Sequence, residues 1–380
     1  MSLISDTAYL EKTCKEFSKK SFVCVDTEFI RDKTYWPKLC LIQLGDPEGN
    51  AVAIDPLSKN IDLKPLDWLL NDSKTKKVFH AARQDIEIFY HRTSKIPDPI
   101  FDTQVAAMVC GFGESPGYEL LAKKLANANI DKSTRYTNWS QRPLTDEQIS
   151  YALDDVSYLS TIYLKLFKEL KEKKRTRWIK EEMSKLSLEE TYSVNPLNAW
   201  KKIKNRRIKK HILPVLVELA SLREQTAQKE NKPRTHIISD SLLIDIASKK
   251  PYSIENILRI KGINKSEIEG RFGKEILKSI KRGILQKNNT VQEANIQQKH
   301  NQNALSDLLK VLLKASSEKY NVAPRLIATN SELEKISAGN FSVPSFKGWK
   351  KEIFGKEASL LVKGKLALSS KNGNVKKILL

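Results

Sequence analysis

The chain is 380 residues long, 40% hydrophobic, and carries 66 Lys and Arg against 45 Asp and Glu, a formal charge of +21. That length supports two or three domains with real cores. No stretch approaches the roughly 20 apolar residues of a membrane span, which excludes an integral helical membrane protein.

The first element in chain order is a short helix with Leu10, Cys14 and Phe17 on one face, in place of the basic-then-apolar pattern of a secretory signal. Apolar runs predict strands over 21–27, 38–45, 50–55 and 77–80. Between the second and third lies Gly45-Asp46-Pro47-Glu48-Gly49-Asn50, a turn signal that makes them an antiparallel pair. Helical period covers Asp62 to Leu70 and Ala81 to His91, and Asp102 is placed to cap a further helix containing Met108 and Val109. Strands in a meander, then strands separated by helices, predict a mixed sheet with helices packed on it. From about residue 120 the strand signals end, and Leu120 to Ala126, Thr145 to Leu170 and much of 171–192 are helical. Asn195-Pro196-Leu197 and the basic run 201–211 mark a boundary.

The second half contains an internal repeat. Pro233-Arg234 answers Pro324-Arg325, 91 residues on, and Phe272-Gly273-Lys274-Glu275 answers Phe354-Gly355-Lys356-Glu357, 82 residues on. Apolar helical segments flank the Pro-Arg pair in both copies, and polar Gln286 to Asn303 is the expected linker. Charge divides along the same line. Residues 1–200 hold 29 basic and 29 acidic side chains, so the whole excess lies in 201–380, with 37 basic and 16 acidic. A neutral half joined to a strongly basic one suits a protein that grips a polyanion with one part and processes it with the other. The cysteines, Cys14, Cys24, Cys40 and Cys110, show no Cys-x-x-Cys spacing. A reduced, cytoplasmic protein with neither disulfides nor a zinc site is expected.

The chemistry is in the neutral half. Asp26 and Glu28 close the first strand, and residues i and i+2 of a strand share a face, so two carboxylates lie side by side. Like charges desolvated together are costly unless a cation holds them. Asp85 follows the strand ending at His80, while Tyr151 and Asp155 are four apart, on one face of a helix. Four converging carboxylates match two Mg²⁺ or Mn²⁺ ions, hard cations that take oxygen ligands, and such a pair is the clamp for in-line displacement at phosphorus. Tyr151 can present its hydroxyl to an attacking water. Asp154 is a rival to Asp155, but lies about 100° round the helix and lacks the tyrosine spacing.

These residues resemble the motifs of the DEDD 3′→5′ exonuclease superfamily, tyrosine subgroup. Val25 to Phe29, Thr34 to Gln43, Phe79 to Asp85 and Phe101-Asp102-Thr103-Gln104 look like ribonuclease D over residues 1 to about 190. The first basic repeat is similar to that family's HRDC domain, and the second to a weaker companion. The resemblance implies an α/β RNase H-like mixed sheet with flanking helices, followed by two all-α HRDC-like domains. The expected division is an exonuclease domain over 1–190, an HRDC domain over 208–288 and a second helical domain over 303–380. It implies two divalent metal ions, with Asp26 between both, Glu28 and Asp155 on the water-activating ion and Asp85 on the other. It further implies release of nucleoside 5′-monophosphates from RNA 3′ ends, with tRNA precursors as substrates. A DNA-directed exonuclease, or a non-catalytic RNA-binding protein on the same scaffold, is the alternative. RNA is the expected partner, with no membrane and no obligate protein partner.

Other residues carry weaker signals. His80 and Gln43 read as hydrogen-bonded structural side chains, and Asp102 as a helix cap in preference to a fifth ligand. Tyr35 and Trp36 could stack on a terminal base or simply pack before the second strand. Arg234 and Arg325 could meet phosphate or only mark a turn.

Overall fold

The computed structural model describes residues 3–130, 137–193, 195–203, 208–268, 270–286 and 304–380. They fold into two units. One holds the chain up to Phe29, Leu39–Tyr192 and the C-terminal segment from 304; the other holds Ile30–Lys38 and the segment from Ser193 to 286. Among the described residues no helix is long and apolar enough to cross a membrane.

The first unit is built on a six-stranded sheet. Its strands are β1 (Leu3–Ile4), β2 (Phe22–Ile30), β3 (Lys38–Gly45), β4 (Ala51–Ile54), β5 (Lys76–Phe79) and β6 (Ile100–Asp102), in the spatial order β1-β4-β3-β2-β5-β6. β3 and β4 pair antiparallel across the turn at Gly45–Asn50, which the Asp46 carboxylate closes by accepting from the Glu48 and Asn50 amides. β2, β5 and β6 run parallel, β5 and β6 joined through the helix Arg83–Thr93 and β2 reaching β5 by way of β3, β4 and the helix Lys64–Asn71. β2 and β5 are Val- and Phe-rich and buried on both faces, as parallel strands must be. On one face pack α1 (Thr7–Phe17), α2 (Lys64–Asn71) and α3 (Arg83–Thr93), closing a core around Leu10, Ile42, Ile54, Phe79 and Phe89. The other face carries α4 (Thr103–Cys110) and a long helix, α6 (Asp146–Glu172), after the short α5 (Tyr118–Leu121). Thr145 starts α6 with a reciprocal capping box to Gln148. Ala152, Val156, Leu159, Ile162 and Leu166 give it a fully buried stripe at helical spacing.

The C-terminal repeat belongs to this unit. Its helices α14 (Ala304–Tyr320), α15 (Pro324–Ile327) and α16 (Asn330–Ser337) lead to a helical segment from Gly348 to Val362. They meet the helices packed on the sheet through α7 (Thr176–Leu186), where fully buried Trp349 stacks on Trp178 at 4.7 Å and 13°. The Trp349 indole N–H donates to Glu182 at 3.0 Å, and the Ala323 amide to the Met108 carbonyl at 3.0 Å. Trp349→Ala should cost about 3–5 kcal/mol, because it leaves an unfilled volume and takes the indole donor from a buried carboxylate. A urea melt checks this; an unchanged midpoint would refute the packing assignment. A hairpin, β7 (Leu366–Lys371) and β8 (Asn374–Leu379), ends the chain and adds strands to a region that reads as wholly helical in sequence.

The second unit is α8 (Leu213–Glu230), α9 (Arg234–Ile237), α10 (Asp240–Lys249) and α13 (Arg271–Leu285), with the short α11 (Ile254–Leu258) and α12 (Lys265–Ile268) between the last two. They pack around Leu216, Leu219, Leu243, Ile246 and Ile276. Residues 30–38 insert here. The Tyr35 hydroxyl donates to buried Glu224 and accepts from Arg234 at 2.9 Å, and Arg234 in turn grips both Glu224 oxygens. Burial alone would raise the Glu224 carboxyl, yet the bonds from Arg234 and Tyr35 hold it below its ordinary value. Tyr35 is therefore packed and its hydroxyl committed, not offered to a base, and Arg234 is a structural cation.

Two anchors of the repeat fare differently. Gly273 and Gly355 each admit a backbone carbonyl where a Cβ would stand, Ile268 at 2.1 Å and Ser345 at 2.7 Å, so their match is structural. The Pro-Arg pairs are out of step by one residue. Asn231 and Asn321 both end the first helix in the left-handed region, with φ of 50° and 46°, and Ser239 and Thr329 both cap the third. Arg234 thus corresponds to Pro324. The expected linker lies outside the described residues from 287 to 303, as does 204–207 of the basic run.

Candidate active site

β2 brings Asp26 and Glu28 to one side of its end, both half-buried, while Thr27 between them turns inward. α6 brings Asp155 to the same place. Carboxylate oxygens of Asp26, Glu28 and Asp155 all lie within 4.8 Å of one another. Asp85, in the first turn of α3, stands outside that trio and is buried, and the Thr27 hydroxyl donates to it at 2.5 Å. Asp85 still acts on the trio through its charge. The Asp26 carboxyl is pushed well above its usual range, by burial first and then by the charges of Asp85, Asp155 and Glu28. Burial likewise raises the Asp85 carboxyl, to about 7.

A cavity of about 500 Å³ opens on Asp26 and Asp155, and Tyr151, His80 and Tyr118 also line it. Tyr151 and Asp155 are neighbours on α6, and the Trp139 ring lies 6.1 Å from that of Tyr151. Tyr118 donates from its hydroxyl to the Asp154 carbonyl at 2.8 Å and sets its ring edge-on to His80. The His80 Nδ1 lies 3.0 Å from the Thr103 hydroxyl, and burial pulls its pKa down to about 4, so the imidazole is neutral.

Asp102 caps α4 by accepting from the Gln104 and Val105 amides. It also accepts from the amides of Ala81 and Ala82 at 3.1 and 2.9 Å, just before α3. Ala81 sits at φ 58°, a conformation that costs a Cβ-bearing residue of order 1–3 kcal/mol and that the Asp102 bonds hold in place. With four amide partners, Asp102 sets the start of the helix carrying Asp85. Gln43 departs from expectation: its side chain is fully buried, and its amide makes no hydrogen bond among the described residues.

α6 reaches the site because Gly45 lets it approach. A Cβ at Gly45 would stand 2.9 Å from the Val156 carbonyl and 3.3 Å from the Cys24 Cβ. Gly45→Ala should displace the turn that carries Asp155 and lower turnover by roughly 10²-fold, on the scale of an angstrom-sized misplacement. The far-UV spectrum should be unchanged, and an unaltered rate would show that α6 does not depend on this contact.

Thr27, Tyr118 and Gly45 carried little signal of their own in the sequence. Thr27 was implicit in strand alternation, since a residue between two acids on one face must point to the other.

The scaffold is that of a nuclease. A family model described as 3'-5' exonuclease matches residues 1–171, and an HRDC domain model matches 213–280. Ribonuclease D of Bartonella henselae is 42% identical, with 99% of this chain and 93% of that one aligned. Ribonuclease D of Jannaschia sp. is 41% identical over 98% of each chain. The crystal structure of Escherichia coli RNase D, described as an exoribonuclease involved in structured RNA processing, superposes with a TM-score of 0.82 at 26% identity, covering 96% of this chain and 98% of that one. The chain belongs to the ribonuclease D family and is a metal-dependent 3′→5′ exoribonuclease.

Proposed function

We propose that Asp26, Glu28, Asp85 and Asp155 hold two divalent cations, Mg²⁺ or Mn²⁺, and that the enzyme trims the 3′ ends of structured RNA, tRNA precursors among them. The observation that carries this is the desolvated Asp26 carboxyl, on a cavity wall with Asp155 and within reach of the charges of Asp85 and Glu28. Apart from protonation, such a cluster is relieved only by cations, and an all-oxygen donor set suits Mg²⁺ or Mn²⁺. Asp26 would serve both ions, Glu28 and Asp155 the first, and Asp85 the second. When bound, such a pair supplies activation of the attacking water and stabilisation of the leaving 3′ oxygen.

The protein's own groups do the rest. Tyr151 orients the water from one helical turn away from Asp155. Tyr118 and neutral His80 wall the cavity beside the terminal nucleotide. The proposed domains are those drawn from the sequence, 1–190, 208–288 and 303–380, and the proposed compartment is the cytoplasm.

End-labelled precursor tRNA tests this directly. Incubation with Mg²⁺ or Mn²⁺ should release labelled 5′-monophosphates stepwise, and a chelator should stop it. Release that continued in chelator would refute the metal assignment. A matched DNA oligomer should compete poorly, because RNA is told from DNA through the 2′-OH.

A further inference from the structure

The last 20 residues contain five lysines, Lys363, Lys365, Lys371, Lys376 and Lys377, and neither an acid nor an aromatic. They fold as the β7–β8 ribbon, with Asn372 and Gly373 both at positive φ, 53° and 73°, in the tight turn that matches strand twist. Alternation gives the ribbon two faces. Leu366 and Leu368 face the helical core, and Lys377, directly across from Leu368, is paired with Glu357 at 2.5 Å. The opposite face carries Ser369 across from Lys376 and Lys371 across from Asn374, all exposed. Lys371 and Lys376 are diagonal neighbours there, about 7–8 Å apart.

We propose that this outer face is a docking strip for the double-stranded body of the RNA, a claim that rests on the structured-RNA reading above. Two adjacent cations with no acid in the segment call for a polyanion. A single strand would be held by aromatic stacking, and the ribbon has none to offer. Duplex RNA is instead met through phosphates and 2′-hydroxyls across its wide minor groove. Lysine heads serve the phosphates, and Ser369 and Asn374 serve the hydroxyls. The two polar pairs lie next to each other on this face, roughly 7 Å apart along the strands, and Ala367 across from Ile378 continues it. The hydrogen-bonded turn orders it before RNA arrives, which lowers the entropy cost of binding.

The full-length Lys371→Gln/Lys376→Gln variant tests this with two probes, an RNA stem carrying a single-stranded 3′ tail and the tail alone. Binding of the stem should weaken about five- to twentyfold, and the slope of log K against log salt should shrink by about 1–2, close to one per lost phosphate contact. Binding and hydrolysis of the tail should not change. Unchanged stem affinity and slope, with the tail still hydrolysed, would overturn the strip. Wild-type enzyme that bound and trimmed the tailed stem no better than the free tail would instead overturn the structured-RNA reading. Two other outcomes also overturn the strip while stem binding stays normal. One is lysine-dependent flotation with anionic phosphatidylserine vesicles, and the other is self-association that Ile378→Ser abolishes.

Discussion

Asp26→Asn should reduce nucleotide release by 10³-fold or more, about 4 kcal/mol of barrier, while leaving RNA affinity within a factor of about two. The two effects separate because Asp26 is enclosed at a strand end among other acids, whereas the basic excess lies entirely in residues 201–380. The amide is nearly the same size as the carboxyl, so packing around β2 is preserved. It carries no charge, so the shared ligand of the proposed ion pair is gone. Single-turnover assays with saturating enzyme report the rate, and filter binding reports the affinity. Full activity in the variant would remove Asp26 from the mechanism. Equal losses of rate and affinity would mean that the acidic cluster, not the basic half, holds the RNA.

The same variant should make the metal-free protein more stable. Burial lifts Asp85 to about 7 from 3.8 and lifts Asp26 well above its ordinary value. A carboxyl raised in the fold keeps a proton that the unfolded chain has released. Its stabilisation is therefore complete below the unfolded pKa, near 4, and is lost as pH rises through the folded pKa, near 7. In chelator, melting temperature should fall between pH 6.5 and pH 8. Saturating Mg²⁺ or Mn²⁺ should reverse that slope, since the ions bind the deprotonated groups. At about 100 times the dissociation constant the ion adds roughly 2.7 kcal/mol. The window starts at 6.5 because His80, lowered to about 4 by burial, destabilises the fold as pH drops below the unfolded imidazole value. Asp26→Asn should make the chelator curve shallower, leaving the share of Asp85, which burial raises, and should remove most of the metal response. Parallel curves for wild type and variant would show that these carboxyls do not titrate as a cluster.

Much of the first unit was legible in the sequence because its central strands, β2 and β3, are long and apolar. β3 ends where predicted, at Lys38 and Gly45, and Thr145 and Asp102 cap helices as their residue types dictate. β1 and β6, two and three residues long, escaped because so short a run has no period to detect. The terminal hairpin escaped for a different reason. Asn372-Gly373 is a strong hairpin signal, but the strands around it, half exposed and rich in lysine, read as polar helix. At the site, spacing foretold which acids could share a face. It could not foretell that Thr27 would claim Asp85, or that Tyr118 would reach the Asp154 carbonyl, because both contacts join segments distant in the chain.

The stacked tryptophans bear on how this enzyme can be dissected. Trp349 leaves no apolar seam along which the C-terminal repeat could be detached, and its partner Trp178 lies outside the repeat, on α7. A shortened enzyme ending before residue 304 would present an uncovered indole and the bare end of α4 to water, and would leave Glu182 with Lys185 but without Trp349 and Lys350. Such a fragment should clump on expression, and any drop in its RNA affinity would say little about who touches RNA. Point substitutions on the outside of the repeat are the sound way to assign its share of recognition.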